Sequence, residues 1–183
     1  AGYGANVVLY GKSFDEANHY ALKLAQENGL SYIHPFDDRE VIVGQGTVAK
    51  ELLQQVRNLE MVFVPVGGGG LLAGMAVYIK QLKPDVRVIG VEPEGAACLK
   101  AALAQGKPVE LEQVDIFADG VAVKRIGDET FKLAQQYCDD VITVNSDEIC
   151  AAMKDLFDDT RAIAEPAGAL SLAGLKKYVS QHK

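Results

Sequence analysis

Tryptophan is absent from the 183 residues, and cysteine and histidine are scarce, with three of each. Cys98, Cys138 and Cys150 stand far apart with no CxxC pair. An odd count argues against a disulfide framework, so a reducing, cytoplasmic setting is expected. The cysteines read as small core hydrophobes. His19, His34 and His182 have no metal-ligand spacing and read as ordinary surface or half-buried side chains. No apolar run is long enough to span a bilayer. A net charge of −7 with no basic stripe argues against nucleic acid as a partner. No Ser/His/Asp triad is marked by order or flanking residues. The first residues, Ala1-Gly2-Tyr3-Gly4, lack both a methionine and a basic leader region, as expected of an interior piece of a longer protein.

What is present is enough apolar material for one sizeable core, at 49% of residues, and an alternation of strand-like and helix-like segments. Residues 7–10 read as a strand. Ser13 follows as an N-cap with Glu16 three positions on, a capping box, and the helix it opens ends at Gly29. Residues 31–34 read as a short strand, and a helix is expected from Gln45-Gly46-Thr47 to about residue 56. The nearly continuous apolar run 61–66 has the composition of a central parallel strand covered on both faces. Helices are expected over 71–82, 96–104, 128–137, 146–158 (capped by Ser146) and 167–179 (with Pro166 in its first turn), and strands over 86–91 and 141–144. The alternation implies an α/β fold: an open parallel twisted sheet with helices on both faces.

Four consecutive glycines, Gly67, Gly68, Gly69 and Gly70, stand between the apolar strand and the next helix. A strand running through a glycine turn into a helix leaves free N–H groups at the positive end of the helix dipole, which suits a phosphate. Without Cβ atoms the backbone can approach an anion closely and adopt positive φ. A Walker A loop is excluded, because Met75-Ala76 follows Gly74 where Lys-Ser or Lys-Thr is needed. Gly68-x-Gly70-x-x-Ala73, with Glu92 closing the next strand as a ribose-binding acid, fits a permissive dinucleotide fingerprint and hence a nucleotide-binding oxidoreductase module. A cup for a single phosphate, such as that of pyridoxal phosphate, is the other functional reading. A tight turn that binds nothing is the plain structural one.

The segment Val64-Pro65-Val66-Gly67-Gly68-Gly69-Gly70-Leu71 resembles the phosphate loop of fold-type II pyridoxal-phosphate enzymes. The resemblance extends, in the family's order, to Gly44-Gln45-Gly46-Thr47, to the stretch 117–124 and to Ala164-Glu165-Pro166-Ala167-Gly168-Ala169. Within that family the stretches 120–132 and 149–170 most resemble the biosynthetic threonine deaminases, or threonine ammonia-lyases. What the resemblance implies is a large catalytic domain, partial here, with residues 1–36 as the tail of a small cofactor-covering domain and 37–183 as the large-domain portion. It implies pyridoxal 5'-phosphate as cofactor, an amino-acid substrate, and deamination of L-threonine to 2-oxobutanoate and ammonia, in isoleucine biosynthesis, by a parent protein that is a homo-oligomer. Gly67, Gly68, Gly69, Gly70 and the amide of Leu71 would carry the phosphate, and Gly120 with its neighbours would wall the ring.

The family's Schiff-base lysine belongs to a Ser-x-Lys-x-Arg motif that these residues do not contain, and the Ser-Gly-x-Asn segment near the ring nitrogen is also absent. No catalytic residue is therefore assigned within the 183, and no turnover by this segment alone is expected. Lys124, beside the ring wall, reads as a structural or surface lysine rather than a substitute amine. Asp115 and Asp119 read as solvated carboxylates rather than cation ligands. Glu165 reads as an electrostatic cap for the last helix.

Overall fold

Three parallel strands carry the frame of the computed structural model, which describes residues 2–182. Two compact units divide between Ile33 and His34. The first holds one helix, α1 (Phe14–Asn28), capped by Ser13, whose side chain accepts from the Glu16 amide, and closed by Gly29 at φ 63°. The expected reciprocal bond of a capping box is displaced by one residue, since the Glu16 carboxylate takes the amide of Lys12. Residues 7–10 and 31–34, expected as strands, are not strands. Their composition suits a ladder, but no neighbouring strand among the described residues offers one, and Leu9 is 92% exposed.

The second unit holds the α/β core. Its elements are α2 (Arg39–Gln55), β1 (Met61–Pro65), α3 (Gly70–Leu82), β2 (Arg87–Pro93), α4 (Cys98–Gln105), α5 (Asp128–Tyr137), β3 (Asp140–Val144), α6 (Ser146–Thr160) and α7 (Pro166–Gln181). The sheet order is β1-β2-β3, all parallel, with Val64 paired to Gly90 and Gly90 to Val141. The apolar run 61–66, expected to be a parallel strand covered on both faces, forms β1 over Met61–Pro65, which packs against α3 and α7 and, among the described residues, pairs with β2 alone. The central strand is β2, six of whose seven residues are buried. Side chains of neighbouring strand residues point to opposite faces. Gly90 faces Leu72 of α3, while Val91 meets Gly174 of α7, so helices cover both faces as expected. Beneath α6 and α7 the core includes Val91, Val144, Ile149 and Leu170.

Helix α2 starts six residues before the expected Gln45. Asp38 is its N-cap, accepting from the amides of Glu40 and Val41, and Gly44 and Gly46 lie inside the helix. Gly46 is tolerated there because α2 and α3 meet through glycine. A Cβ on Gly74 would stand 2.3 Å from the Ile42 carbonyl oxygen and 2.8 Å from the Gly46 nitrogen. Backbone cannot yield as a side chain can, so Gly74→Ala is expected to cost about 2 kcal/mol through overpacking, read as a lowered thermal midpoint of the full-length protein. Helix α6 is capped by Asn145 rather than Ser146, in a full capping box with Glu148. Cys98 is buried as expected of a core residue, but Cys138 is only half-buried and Cys150 is exposed. Among the described residues no helix is long and apolar enough to cross a membrane.

Candidate anion site at the glycine turn

Strand β1 hands over to α3 through Val66, whose amide still pairs with the Val91 carbonyl at 2.9 Å. Gly69 is the N-cap of the 13-residue α3, at φ 91° and ψ −2°, a conformation that favours glycine. No acidic side chain stands in the first turn of α3, so the positive end of its dipole is not neutralised locally.

The carbonyls of Gly67, Gly68 and Gly69 are engaged. Cys98 Sγ donates to Gly67 O at 3.4 Å. Thr130 Oγ1 and the Gly127 amide donate to Gly68 O at 2.7 and 3.3 Å. The Ala73 amide donates to Gly69 O at 2.9 Å. The amides differ. Among the described residues, none of the N–H groups of Gly67, Gly68, Gly69, Gly70, Leu71 and Leu72 donates to a backbone or side-chain acceptor. Gly67 and Leu71 are half-buried and the other four residues are buried. Buried donors without acceptors are costly, and a run of six at a helix start suits an anion with several oxygens.

The missing Cβ atoms have a second use that the sequence did not reveal. A Cβ on Gly68 would fall 2.2 Å from the Phe36 ring, and one on Gly70 about as close as 3.1 Å to Phe36 backbone and Cβ. On Gly67 it would meet Val121 Cα at 2.9 Å, and on Gly69 Ile126 Cδ1 at 2.6 Å. The turn thus presses its α-carbons onto protein while its amides stay unpaired. Phe36 is itself set by His34, whose Nδ1 accepts from the Phe36 and Asp37 amides. The Asp37 carboxylate in turn accepts from the amides of Asp128, Glu129 and Thr130 at the start of α5.

Glu92 ends on β2 where a ribose-binding acid was expected, but its carboxylate is already committed. Oε1 accepts from the Leu99 amide at 2.7 Å and Oε2 from the Lys100 amide at 2.9 Å, so it caps α4 from a fully buried position. That geometry removes the acid on which the dinucleotide reading depended. Burial raises the Glu92 carboxyl to about 7, against the opposing pull of those amides and of Lys100. Burial, reinforced by Glu92, also pushes the Cys98 thiol up, so it keeps the proton it donates to Gly67 O.

Asp115 and Asp119 are exposed and accept from the amides of Phe117 and Gly120. Among the described residues no three His, Cys, Asp or Glu side chains are grouped to hold a metal ion. Lys124 is half-buried and its carbonyl accepts from the Leu111 amide. Glu165 occupies the N-cap position of α7, but its side chain makes no cap hydrogen bond. Its Oε1 is turned toward Gly120 instead, 3.1 Å from where a Cβ there would stand.

The whole chain, residues 1–183, matches the family model described as pyridoxal-phosphate dependent enzyme. It is 64% identical over 181 residues to the L-threonine dehydratase biosynthetic IlvA of Salmonella typhimurium and 63% identical to that of Escherichia coli, covering 99% of this chain in both. The chain spans about a third (35%) of the length of these curated relatives. Among solved structures, it is similar to the processed form of threonine deaminase isoform 2 from Solanum lycopersicum, with a TM-score of 0.95 and 48% identity over 99% of this chain and 53% of that one. Serine racemase from Dictyostelium discoideum gives 0.86 and 37%, covering 100% of this chain and 58% of that one. The unpaired amides at a helix start, the glycine turn that fits an anion, and the family match along every residue lead to one conclusion: the chain belongs to the pyridoxal-phosphate dependent enzymes.

Proposed function

We propose that this segment carries the cofactor-phosphate site of a threonine ammonia-lyase, an enzyme that deaminates L-threonine to 2-oxobutanoate and ammonia in isoleucine biosynthesis. The observation that carries the reading is the run of six amides from Gly67 to Leu72 without an acceptor among the described residues. The names of the relatives at 64% and 63% identity support the choice of reaction. In this reading Gly67, Gly68, Gly69, Gly70 and the amide of Leu71 bind the phosphate, with the α3 dipole adding to the attraction. Burial of the turn keeps water from competing for those donors. Gly120, lacking a side chain, lets Ala167 and the Glu165 carboxylate approach its backbone closely, a Cβ there standing 3.0 and 3.1 Å from them. When bound, pyridoxal 5'-phosphate supplies an electron sink that allows loss of the Cα proton and departure of the β-hydroxyl. The amine that holds the cofactor comes from outside these 183 residues. We further assign residues 1–36 to the tail of a small cofactor-covering domain and 37–183 to part of the large catalytic domain, in a cytoplasmic homo-oligomer.

The test is a titration of the full-length apo-protein with pyridoxal phosphate and with NAD, followed by assay with L-threonine. Expected are binding of pyridoxal phosphate, no binding of NAD, and equal yields of 2-oxobutanoate and ammonia. The isolated 183-residue segment should give no product. Binding of NAD without pyridoxal phosphate would overturn the reading.

A further inference from the structure

We propose that Thr130 is a positioning residue for the phosphate site, holding the Gly68 carbonyl so that the Gly69 amide is presented to the ligand. The inference rests on the reading of the turn as a cofactor-phosphate site. In a trans peptide the C=O and the following N–H lie in one plane and point in opposite directions, so a donor that fixes the carbonyl also aims the amide. Thr130 Oγ1 donates to Gly68 O at 2.7 Å from a fully buried position, the shorter of the two bonds that carbonyl accepts, the other coming from the Gly127 amide at 3.3 Å. The planes on either side are fixed in the same way, by Cys98 Sγ on Gly67 O and by the Ala73 amide on Gly69 O. Three consecutive carbonyls held by protein donors leave the amides of Gly68, Gly69 and Gly70 facing away from those donors.

Thr130 is held in its turn. Its own amide and those of Asp128 and Glu129 donate to the Asp37 carboxylate at 3.1, 2.9 and 2.9 Å. That clamps the start of α5 to the residue next to Phe36, whose ring lies against Gly68. A continuous path of hydrogen bonds therefore runs from Asp37 through the first turn of α5 and Thr130 to the glycine turn. The side chains of Asp37 and Thr130 are spent on protein partners, so the path acts through the direction of the turn's amides.

The experiment compares full-length apo-protein as wild type, Thr130→Val and Thr130→Ser. Each is titrated with pyridoxal phosphate and with pyridoxal, which lacks the phosphate. Valine keeps the shape and removes the donor. Thr130→Val is expected to weaken pyridoxal phosphate binding about 10-fold, the effect of one lost buried hydrogen bond. Thr130→Ser should restore it to within about 2-fold. Pyridoxal affinity should be unchanged in both, and the phosphorus resonance of the bound cofactor should move in Thr130→Val only. The inference is overturned if Thr130→Val binds pyridoxal phosphate like wild type with an unmoved resonance, or loses affinity for both ligands equally. Should Thr130→Val fail to fold, Thr130→Ala carries the test, since it also removes the hydroxyl donor: about 10-fold weaker pyridoxal phosphate binding with unchanged pyridoxal affinity supports the inference, and unchanged pyridoxal phosphate binding overturns it. A wild-type protein that binds no pyridoxal phosphate overturns the functional reading and this inference with it.

Discussion

Gly69→Asp is expected to abolish cofactor binding, weakening pyridoxal phosphate affinity of the full-length protein by about 100-fold or more. Two separate effects add. The residue sits at φ 91°, and a Cβ there would stand 2.6 Å from Ile126 Cδ1 and 3.0 Å from Thr130 Cβ and Oγ1. The new carboxylate would also place a negative charge beside the bound anion in a buried turn, where an uncompensated charge costs about 3–5 kcal/mol. Gly69→Ala separates the two, because it brings the strain without the charge and should fall between wild type and Gly69→Asp. Gly106→Asp is the control for strain elsewhere. Gly106 also has positive φ, at 69°, but nothing lies within 4 Å of its Cβ position, and its substitution should leave cofactor affinity unchanged. Absorbance titration of each variant reads the affinities, and the thermal midpoint of each apo-protein reads the strain.

Glu92→Gln is expected to change how stability depends on pH. The folded carboxyl titrates near 7 instead of 4.5 because burial outweighs the amide bonds it accepts. Below about 4.5 the group is neutral in both folded and unfolded chains. As pH rises from there to about 7 the unfolded chain ionises while the folded one keeps its proton, so the folded state loses ground, and the loss is complete above about 7. The full swing is on the order of 3 kcal/mol. Glutamine cannot ionise, though it brings a pH-independent penalty of its own because its NH2 must face one of the two amide donors. Stability of wild type relative to Glu92→Gln should therefore fall between pH 4.5 and 7 and level off above. A difference that stays constant across that interval would contradict the account of Glu92.

The parts of the fold legible in the sequence are those fixed by local chemistry. Helix α5 has the expected bounds, and Pro166 and Gly29 mark the helix ends they were expected to mark. The glycine turn was legible because four residues without side chains in a row have few structural uses. Misreadings arose where tertiary contact outweighed local pattern. Gly44-Gln45-Gly46-Thr47 looked like a helix start, but Gly46 belongs to a helix interior that must pass close to Gly74. Residues 7–10 and 31–34 have strand composition, yet composition alone supplies no ladder partner.

The candidate site was legible in its donors and not in its support. Phe36, Cys98 and Thr130 reach the turn from about 30 to 60 residues away. No periodicity or spacing marks a buried threonine as the donor to a distant carbonyl. The nearest signal was Asp37, an acid just before the capped start of α2, but its partners lie more than 90 residues on, at α5. The expected reason for the glycines, close approach of backbone to an anion, accounts for the amides. It does not account for Gly67, Gly68 and Gly70, where the absent Cβ makes room for Val121 and Phe36.

A crystal structure of the full-length protein with pyridoxal phosphate bound measures the central point most directly. The account predicts phosphate oxygens about 3 Å from amide nitrogens of the run Gly67, Gly68, Gly69, Gly70 and Leu71, with Thr130 Oγ1 still on the Gly68 carbonyl. A phosphate bound elsewhere, with those amides turned to protein acceptors, would contradict it.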